Sequence, residues 1–401
     1  MLIIGLLLAT AAIAYALYYF FLKPKVQPGI IIPGITTGTP GQLPSSGVQG
    51  PTTTVPGGPG GPGGLPSAGN IPGQGPSYYQ AEPVTKLNTD YAVYPSANGN
   101  GDLRYYNAGT GKFYRLTADG TLQEMSGQVF FNVSNVTWAK NKDTAVLEYP
   151  DGSNIIYNFS LQKQVTLPQH WQDFSFSPEG TQIAAKSIGL SPENRWLVTV
   201  NDDGSGTQIL EPLGTNADQV TIDWSPSRQV VGFSQTGDPA GGERSEVLFV
   251  GLNHENFKST IVEGQDFRPL WSPTGKKLVY SVYSSRTDLK PELWVVNAYG
   301  DKIGSGRQEL NIITWANKCL FADDNILYCA VPRDLPSAAG LSPEIAADAI
   351  DDLYKIDLQT GFKTPITLGG DYTIQNLNLD TVKQKLYFTD SRQNGIFEVN
   401  I

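Results

Sequence analysis

An aromatic residue followed by Ser-Pro, or by a variant of it, recurs along most of the chain. The clearest copies are Phe176-Ser177-Pro178, Trp224-Ser225-Pro226 and Trp271-Ser272-Pro273, and weaker copies begin at Trp138 and Trp315. The intervals between these aromatic residues are 38, 48, 47 and 44 residues. A period of this length is typical of a four-stranded propeller blade, and it argues against any fold without internal repeats.

Each repeat has the same internal order of strands and turns. An aromatic residue ends the first strand, and Ser-Pro-x-Gly then predicts a tight turn. Short runs rich in β-branched and aromatic residues predict three further strands. Only one segment indicates a helix: Ser342 could cap it, Pro343 would be its first residue, and residues 344–350 would form it.

Seven such units follow one another, with six or eight as the alternatives. They lie near residues 90–125, 137–167, 175–211, 222–262, 269–311, 313–368 and 374–401. The last unit is one strand short, and a strand within residues 83–88 could complete it and remove an exposed sheet edge. The predicted fold is an all-β, single β-propeller with seven four-stranded blades over residues 78–401.

The repeat resembles that of the TolB-type (PD40, WD40-like) propellers. The family pattern is an Asp, then Pro-x-Trp-Ser-Pro-x-Gly and an apolar strand, and Asp266, Pro269, Trp271 and Gly275 match it. Clear motifs cover residues 171–297, and elsewhere only the spacing matches. TolB has an α/β domain before its propeller, and prolyl oligopeptidase-type enzymes have a hydrolase domain beside theirs. Neither domain is expected here, so the resemblance implies a fold and transfers no activity.

The first 77 residues differ sharply in composition from the rest. Residues 2–22 carry no charge, and a helix of that length would span about 30 Å, the thickness of a bilayer's hydrocarbon core. Lys23 and Lys25 follow a group of Tyr and Phe, as is typical of a membrane boundary. We expect residues 1–23 to be an uncleaved transmembrane helix; a cleaved signal peptide is the alternative. Residues 24–77 hold 15 of the 43 Gly and 12 of the 28 Pro, which predicts a flexible, disordered linker.

The membrane orientation is expected to leave the propeller outside the cytoplasm. The two lysines favour the opposite orientation, but long domains translocate largely regardless of charge. The Ser- and Thr-rich linker is typical of an exposed stalk. Cys319 and Cys329 flank a predicted turn and could pair across a hairpin, which would indicate an oxidising compartment; two small buried residues are the alternative.

The charge and the motifs exclude several classes of function. All 38 acidic residues but only 26 of the 28 basic residues lie beyond residue 77, which gives this part a net charge of −12. Such a surface argues against a nucleic-acid partner. Two His argue against a His-rich metal site, and neither a Gly-x-Ser-x-Gly nor a phosphate-loop motif is present. We therefore predict no catalytic residue, metal or cofactor.

The loops between second and third strands are long, at residues 187–195, 235–245, 284–291 and 332–352. In a propeller these loops share one face with the connections between blades; we call this side the loop face and the opposite side the turn face. Long loops on a rigid scaffold commonly carry function. The candidate binding residues of the loop face are His170, Trp171, Asp173, Glu193, Arg195, Arg244, Asp266, Arg268, Arg286, Asp288, Arg333 and Asp334. Ordinary solvated loops are the alternative interpretation.

Two groups of acidic residues have structural interpretations as well as functional ones. Asp173 and Asp266 each occur in Gln-Asp-Phe, and we expect them to accept backbone hydrogen bonds where a strand begins. A ring of such acids that binds a cation is the alternative. The Asp202-Asp203-Gly204 segment has the composition of a calcium loop but lacks a closing Glu, so a hairpin turn is favoured.

These features predict a membrane-tethered, extracytoplasmic propeller that binds or scaffolds a protein or glycan partner at the cell envelope. One alternative is a polysaccharide hydrolase or lyase that uses carboxylates at the propeller mouth. Another is a structural component of a surface layer or secretion assembly. A deep mouth with paired carboxylates and aromatic platforms would favour the enzyme, and a broad, shallow face would favour binding.

Overall fold

The computed structural model describes residues 84–98, 101–380 and 384–401. These residues form seven antiparallel sheets, as the repeat predicts. The expected transmembrane helix at residues 1–23 and the linker at residues 24–77 lie outside the described residues. Within the described ranges, no helix has the length and apolar character needed to cross a membrane.

The blades follow one another in sequence, and each runs from an inner first strand to an outer fourth strand. Blade 1 consists of β2 (Ala92–Ala97), β3 (Leu103–Asn107), β4 (Lys112–Leu116) and β5 (Leu122–Glu124). Blade 2 consists of β6 (Asn135–Trp138), β7 (Thr144–Glu148), β8 (Asn154–Asn158) and β9 (Lys163–Leu167). Blade 3 consists of β10 (Trp171–Phe176), β11 (Gln182–Ile188), β12 (Arg195–Asn201) and β13 (Gln208–Pro212).

Blade 4 contains one additional short strand. It consists of β14 (Val220–Ile222), β15 (Val230–Ser234), β16 (Pro239–Gly241), β17 (Arg244–Gly251) and β18 (Thr260–Val262). Blade 5 consists of β19 (Gln265–Trp271), β20 (Lys277–Tyr283), β21 (Pro291–Asn297) and β22 (Gln308–Glu309). Blade 6 consists of β23 (Cys319–Phe321), β24 (Ile326–Pro332), β25 (Asp351–Asp357) and β26 (Lys363–Ile366).

Blade 7 is completed by the start of the described chain. It consists of β27 (Ile374–Asp380), β28 (Lys385–Asp390), β29 (Ile396–Asn400) and β1 (Thr85–Lys86). Thr85 pairs with Glu398 and Lys86 with Phe397, so the ring is closed by a strand from within the predicted segment 83–88.

The Ser-Pro turns fold as the sequence predicts. The amide of Gly275 donates to Ser272 O at 2.8 Å, and that of Gly180 donates to Ser177 O at 2.8 Å. Both glycines have a left-handed φ, of +72° and +66°. Arg228 takes the same position in the third copy with a φ of +73°. A side chain in this conformation costs about 1–2 kcal/mol, so the Arg228 turn is the least favourable of the three.

The hydrophobic core is divided among the seven contacts between blades. One cluster joins blades 4 and 5 through Phe233, Phe249 and Trp271, and another joins blades 7 and 1 through Tyr387 and Tyr105. Corresponding clusters occupy the other five interfaces. Each blade therefore buries both of its faces against neighbours, which explains the long apolar runs in the second and third strands.

A buried guanidinium also joins blades 1 and 2. Arg104 is fully buried, and it donates to Lys142 O at 2.6 Å and to Ala139 O at 3.0 Å. Its guanidinium lies 4.7 Å from the centre of the Trp138 ring and 3.5 Å from Asp143 Oδ1. Burial lowers the pKa of Arg104 to about 10, so the group stays charged at neutral pH.

The predicted helix at residues 344–350 is wrong. The segment forms only a short 3₁₀ helix, Pro343–Ala346, and the side chain of Ser342 makes no capping hydrogen bond. The described residues contain no α-helix; the other 3₁₀ helices are Pro192–Asn194, Gly214–Gln219, Ser285–Thr287, Gly300–Lys302 and Ala316–Lys318. A small apolar cluster within this loop, described below, orders it without a longer helix.

Candidate binding face

The loops of blades 4, 5 and 6 are hydrogen-bonded to one another on the loop face. The carboxylate of Glu243 in the blade 4 loop accepts bonds from the amide and hydroxyl of Ser285, at 2.9 and 2.6 Å. Backbone oxygens of the blade 5 loop then accept from the blade 6 loop: Asp288 O from the Ala338 amide and Leu289 O from the Gly340 amide, each at 2.8 Å. The three loops therefore form one continuous layer.

The blade 6 loop has a small core beneath it. Leu335, Ala339 and Ala346 pack with Trp315 in a cluster separate from those between the blades. Two aliphatic side chains of this loop, Leu341 and Ile345, remain outside the cluster and are 58% and 50% exposed. The loop thus holds two apolar side chains in solvent on an ordered support.

Most of the predicted basic residues are engaged in holding the loops. Arg286 pairs with the buried Glu292 at 2.9 Å. Arg333 spans Asp352 and Asp371, at 2.7 and 2.6 Å. Two more act on their own loops: Arg244 donates to Gly241 O at 3.1 Å and Arg195 donates to Gly189 O at 3.3 Å. These contacts order the loop face. They also occupy guanidinium N–H groups that could otherwise donate to a partner.

Asp173 and Asp266 occupy bulges in the first strands of blades 3 and 5. The strand register shifts around each of them, and both have a left-handed φ, of +57° and +56°. Asp173 pairs with Lys186 at 2.6 Å, and Asp266 pairs with Arg268 at 2.7 Å. The expectation of backbone hydrogen bonds is replaced by ion pairs, because the bulge turns each carboxylate toward a neighbouring cation.

Trp171 is wrong as a binding residue. It is 6% exposed and belongs to the cluster between blades 2 and 3, where it begins the first strand of blade 3. His170, the residue before it, is exposed, and so are Glu193 and Asp334. These three lie on the loop face, and their role in binding stays a prediction.

Polar groups from three blades meet where the first strands begin at the loop face. The amide of Asn135 donates to Glu148 at 2.7 Å, and the Tyr94 hydroxyl donates to the backbone of the adjacent Ser134. Burial raises the pKa of Glu148, and the negative charge of Asp173 raises it further. Sequence reasoning missed Glu148 and Tyr94 because each lies within an ordinary strand pattern.

The other residues that the sequence analysis missed are apolar. Leu190 in the blade 3 loop is fully exposed, and Phe131 between blades 1 and 2 is 72% exposed. With Leu341 and Ile345 they place apolar side chains at several points around the loop face. The available signal was an aliphatic residue in an otherwise polar loop, such as Leu190 between Gly189 and Ser191.

The acid-rich Asp202-Asp203-Gly204 segment forms a hairpin turn on the turn face. The Gly204 amide donates to Asn201 O at 2.9 Å, and Asp203 accepts from the Ser205 amide at 2.9 Å. The Ser205 hydroxyl also donates to Asp203 at 2.6 Å, and these two hydrogen bonds from Ser205 lower the pKa of Asp203. Nowhere in residues 84–98, 101–380 and 384–401 do three or more His, Cys, Asp or Glu side chains form a group that could hold a metal ion.

Cys319 and Cys329 form a disulfide in blade 6. Cys319 lies in the first strand and Cys329 in the second, and the two residues are directly opposite each other in the strand pairing. The bond closes the hairpin at the turn that the sequence places between them.

Comparison with known proteins identifies the fold. No family model and no curated protein matches the sequence. Among solved structures, the β-propeller domain of Myceliophteria thermophila Cps50 (Swd1) is similar with a TM-score of 0.54 and 11% identity, over 79% of this chain and 99% of that one. An oligogalacturonate lyase in complex with manganese is similar with a TM-score of 0.54 and 11% identity, over 79% and 93%.

TolB from Acinetobacter baumannii is also among the similar structures. Its TM-score is 0.45 and its identity 10%, and the match covers 78% of this chain and 66% of that TolB chain. At 11% identity, the two similarities with a TM-score of 0.54 show the propeller fold alone.

Proposed function

We propose that this protein is a membrane-tethered, extracytoplasmic binding module whose loop face docks a protein partner at the cell envelope. The observation that carries the proposal is the arrangement of the blade 6 loop. Leu341 and Ile345 are half exposed, while Leu335, Ala339 and Trp315 anchor the loop from below. An exposed apolar pair on a pre-ordered support binds without a large cost of ordering.

Exposed charged groups on the loop face support a docking role. Asp334 and Glu193 are exposed there, in the loops of blades 6 and 3. Interfaces commonly have an apolar centre and a polar rim, and the rim contributes selectivity more than affinity. Aliphatic side chains favour a protein over a glycan, since glycan sites use aromatic platforms and dense hydrogen-bonding groups.

The proposed location rests on two features of different parts of the chain. Residues 2–22 form an uncharged run long enough for a membrane span, and residues 24–77 would act as the tether. The Cys319–Cys329 disulfide favours an oxidising compartment.

Fractionation should leave the full chain in membranes after high-salt or alkaline washing, and a protease added to intact cells or spheroplasts should digest the propeller.

Site-specific photo-crosslinking in the full chain tests the docking face. A photoreactive amino acid is placed at Leu341 or Ile345, with Phe362 on the turn face as the control, since Phe362 is more accessible than either, at 75% exposure. We expect the two loop-face positions to give the same adduct in native membranes and position 362 to give none. Absence of an adduct at both loop positions, or the same adduct from all three, would refute the proposal.

A further inference from the structure

The fourth strand of blade 4 covers only part of the third strand, which is the longest strand of the described residues. Its third strand, Arg244–Gly251, has eight residues, but the fourth strand, Thr260–Val262, pairs only with Ser245, Glu246 and Val247. Residues 248–251 have no outer strand beside them. In blade 2, by contrast, Lys163–Leu167 pairs with every residue of Asn154–Asn158.

The direction of the backbone groups follows from the ladder. Gln235 donates to Gln219 O and Asp223 donates to Val231 O, so the odd-numbered residues of Val230–Ser234 face the first strand. The even-numbered Gly232 and Ser234 therefore bond to Val250 and Leu248. Because peptide groups alternate along a strand, the N–H and C=O of Phe249 point outward, and among the described residues no backbone group pairs with them.

A concave surface lies on each side of this edge. Toward blade 3, a groove of about 260 Å³ is lined by the apolar Leu197, Leu213, Val220 and Leu248. Toward blade 5, an open cleft of about 670 Å³ is bounded by Phe257, Ile303 and Arg307, among others. Leu248 borders both, so the cleft runs along the strand edge itself. Successive side chains of a strand point to opposite faces of its sheet, so a strand added in the cleft would turn every second side chain toward the groove.

The charges beside the edge indicate the composition of a strand that would fit. Glu211 and Glu255 line the groove, and Glu246 lines the cleft. Hydrogen bonds lower the pKa values of Glu246 and Glu255, so both are ionised at neutral pH. The nearby Arg307 is already paired with Glu263 at 2.7 Å. Lys258 and Asp301 also line the cleft and lie 3.9 Å apart. Carboxylates therefore outnumber cations beside the edge.

We propose that the outer edge of blade 4 binds an extended peptide of a partner protein by strand addition next to Phe249, with apolar residues two positions apart facing the groove and a Lys or Arg beside them. Main-chain hydrogen bonds would supply affinity, and the two concave surfaces would supply selectivity. This site lies on the rim of the ring, apart from the loop face. Its occupant is an extended segment, whereas the loop face docks a folded surface.

The test uses random dodecapeptides displayed on phage and selected on the full chain, followed by synthesis of the enriched sequences. The informative variant is Leu248→Lys, which puts a cation into the apolar groove, and its matched control is Leu122→Lys on the outer strand of blade 1. The two leucines are comparably exposed, at 38% and 44%. We expect Leu248→Lys to weaken binding of the selected peptide at least about ten-fold and Leu122→Lys to leave it unchanged.

Amide hydrogen exchange gives a readout that does not depend on any substitution. Bound peptide should slow exchange of the Phe249 amide, while the Leu248 and Val250 amides, already bonded to the second strand, should change little. Failure to enrich any peptide would overturn the proposal, and so would binding without protection of Phe249 or binding that Leu248→Lys leaves intact. A peptide that still binds a Leu341→Ser, Ile345→Ser variant separates this site from the loop face, so either proposal can fail alone.

Discussion

The double substitution Leu341→Ser, Ile345→Ser should abolish most binding to the loop face without unfolding the protein. Complete burial of a Leu or Ile side chain is worth about 1.5–3 kcal/mol. The exposed fractions of 58% and 50% are what a partner can still cover. Scaling by these fractions gives about 1.6–3.2 kcal/mol for the pair, or roughly a 15- to 200-fold loss of affinity.

The assay is titration of the full-length variant, in detergent or nanodiscs, with the partner identified by crosslinking. Phe362→Ser on the turn face is the matched control, because it removes an apolar side chain of 75% exposure from the opposite side. The thermal midpoint of the double variant should stay near that of the parent, since Leu335, Ala339 and Trp315 still anchor the loop. A loss of less than three-fold, or an equal loss in Phe362→Ser, would refute the reasoning.

Three further predictions concern stability. Arg104→Met should lower the free energy of unfolding by about 3–5 kcal/mol, since it leaves Lys142 O and Ala139 O without their buried donor; a change below 1 kcal/mol by denaturant titration would contradict this. Burial raises the pKa of Asp223 to about 7, so the folded state holds a proton that the unfolded state has lost, and stability should fall as pH rises from 4 to above 7. Asp223→Asn should remove that fall, which is at most about 4 kcal/mol, and an unchanged pH profile of the thermal midpoint would count against it. Arg228→Gly should raise stability by up to about 1 kcal/mol because it relieves the left-handed φ; a thermal midpoint that does not rise would show that the ion pair of Arg228 with Glu179 offsets the gain.

The repeat determines most of the fold because it fixes where each blade starts. The aromatic residues and the Ser-Pro turns locate the inner hairpins, and once seven units exist the ring geometry sets the order of the sheets. Even the closing strand Thr85–Lys86 can be predicted, because the last unit of the sequence is one strand short. The failed helix at residues 344–350 has a different cause: Trp315, distant in sequence, orders that segment through packing that no local pattern encodes.

The candidate site is harder to predict, because the sequence does not show whether a charged loop residue faces a partner or a charge of its own chain. Arg286 and Arg333 instead hold carboxylates of their own chain, which depends on contacts between loops of different blades. Likewise, Trp171 is an aromatic residue at a loop boundary, and only the structure shows that it belongs to the core. The exposed apolar residues are hard to predict for the opposite reason. A Leu in a loop is usually expected to be buried, and only the packing shows that it is exposed.

The alternation of peptide groups in blade 4 could not have been read from the sequence either. The fourth strand is short because only Thr260–Val262 pairs with the third strand. No residue type within 252–259 indicates that pairing begins only at Thr260. Register is a property of two strands together. The strand-addition site is therefore a structural finding that a repeat pattern alone would not suggest.

Hydrogen exchange of the full chain, with and without its crosslinked partner, tests the docking of the loop face most directly. We expect slower exchange on complex formation in residues 333–350 of the blade 6 loop and 189–194 of the blade 3 loop. Residues 299–307 and 358–362, on the turn face, should exchange as before. Protection confined to the turn face, with the blade 6 loop unchanged, would show that the loop face is not the docking surface.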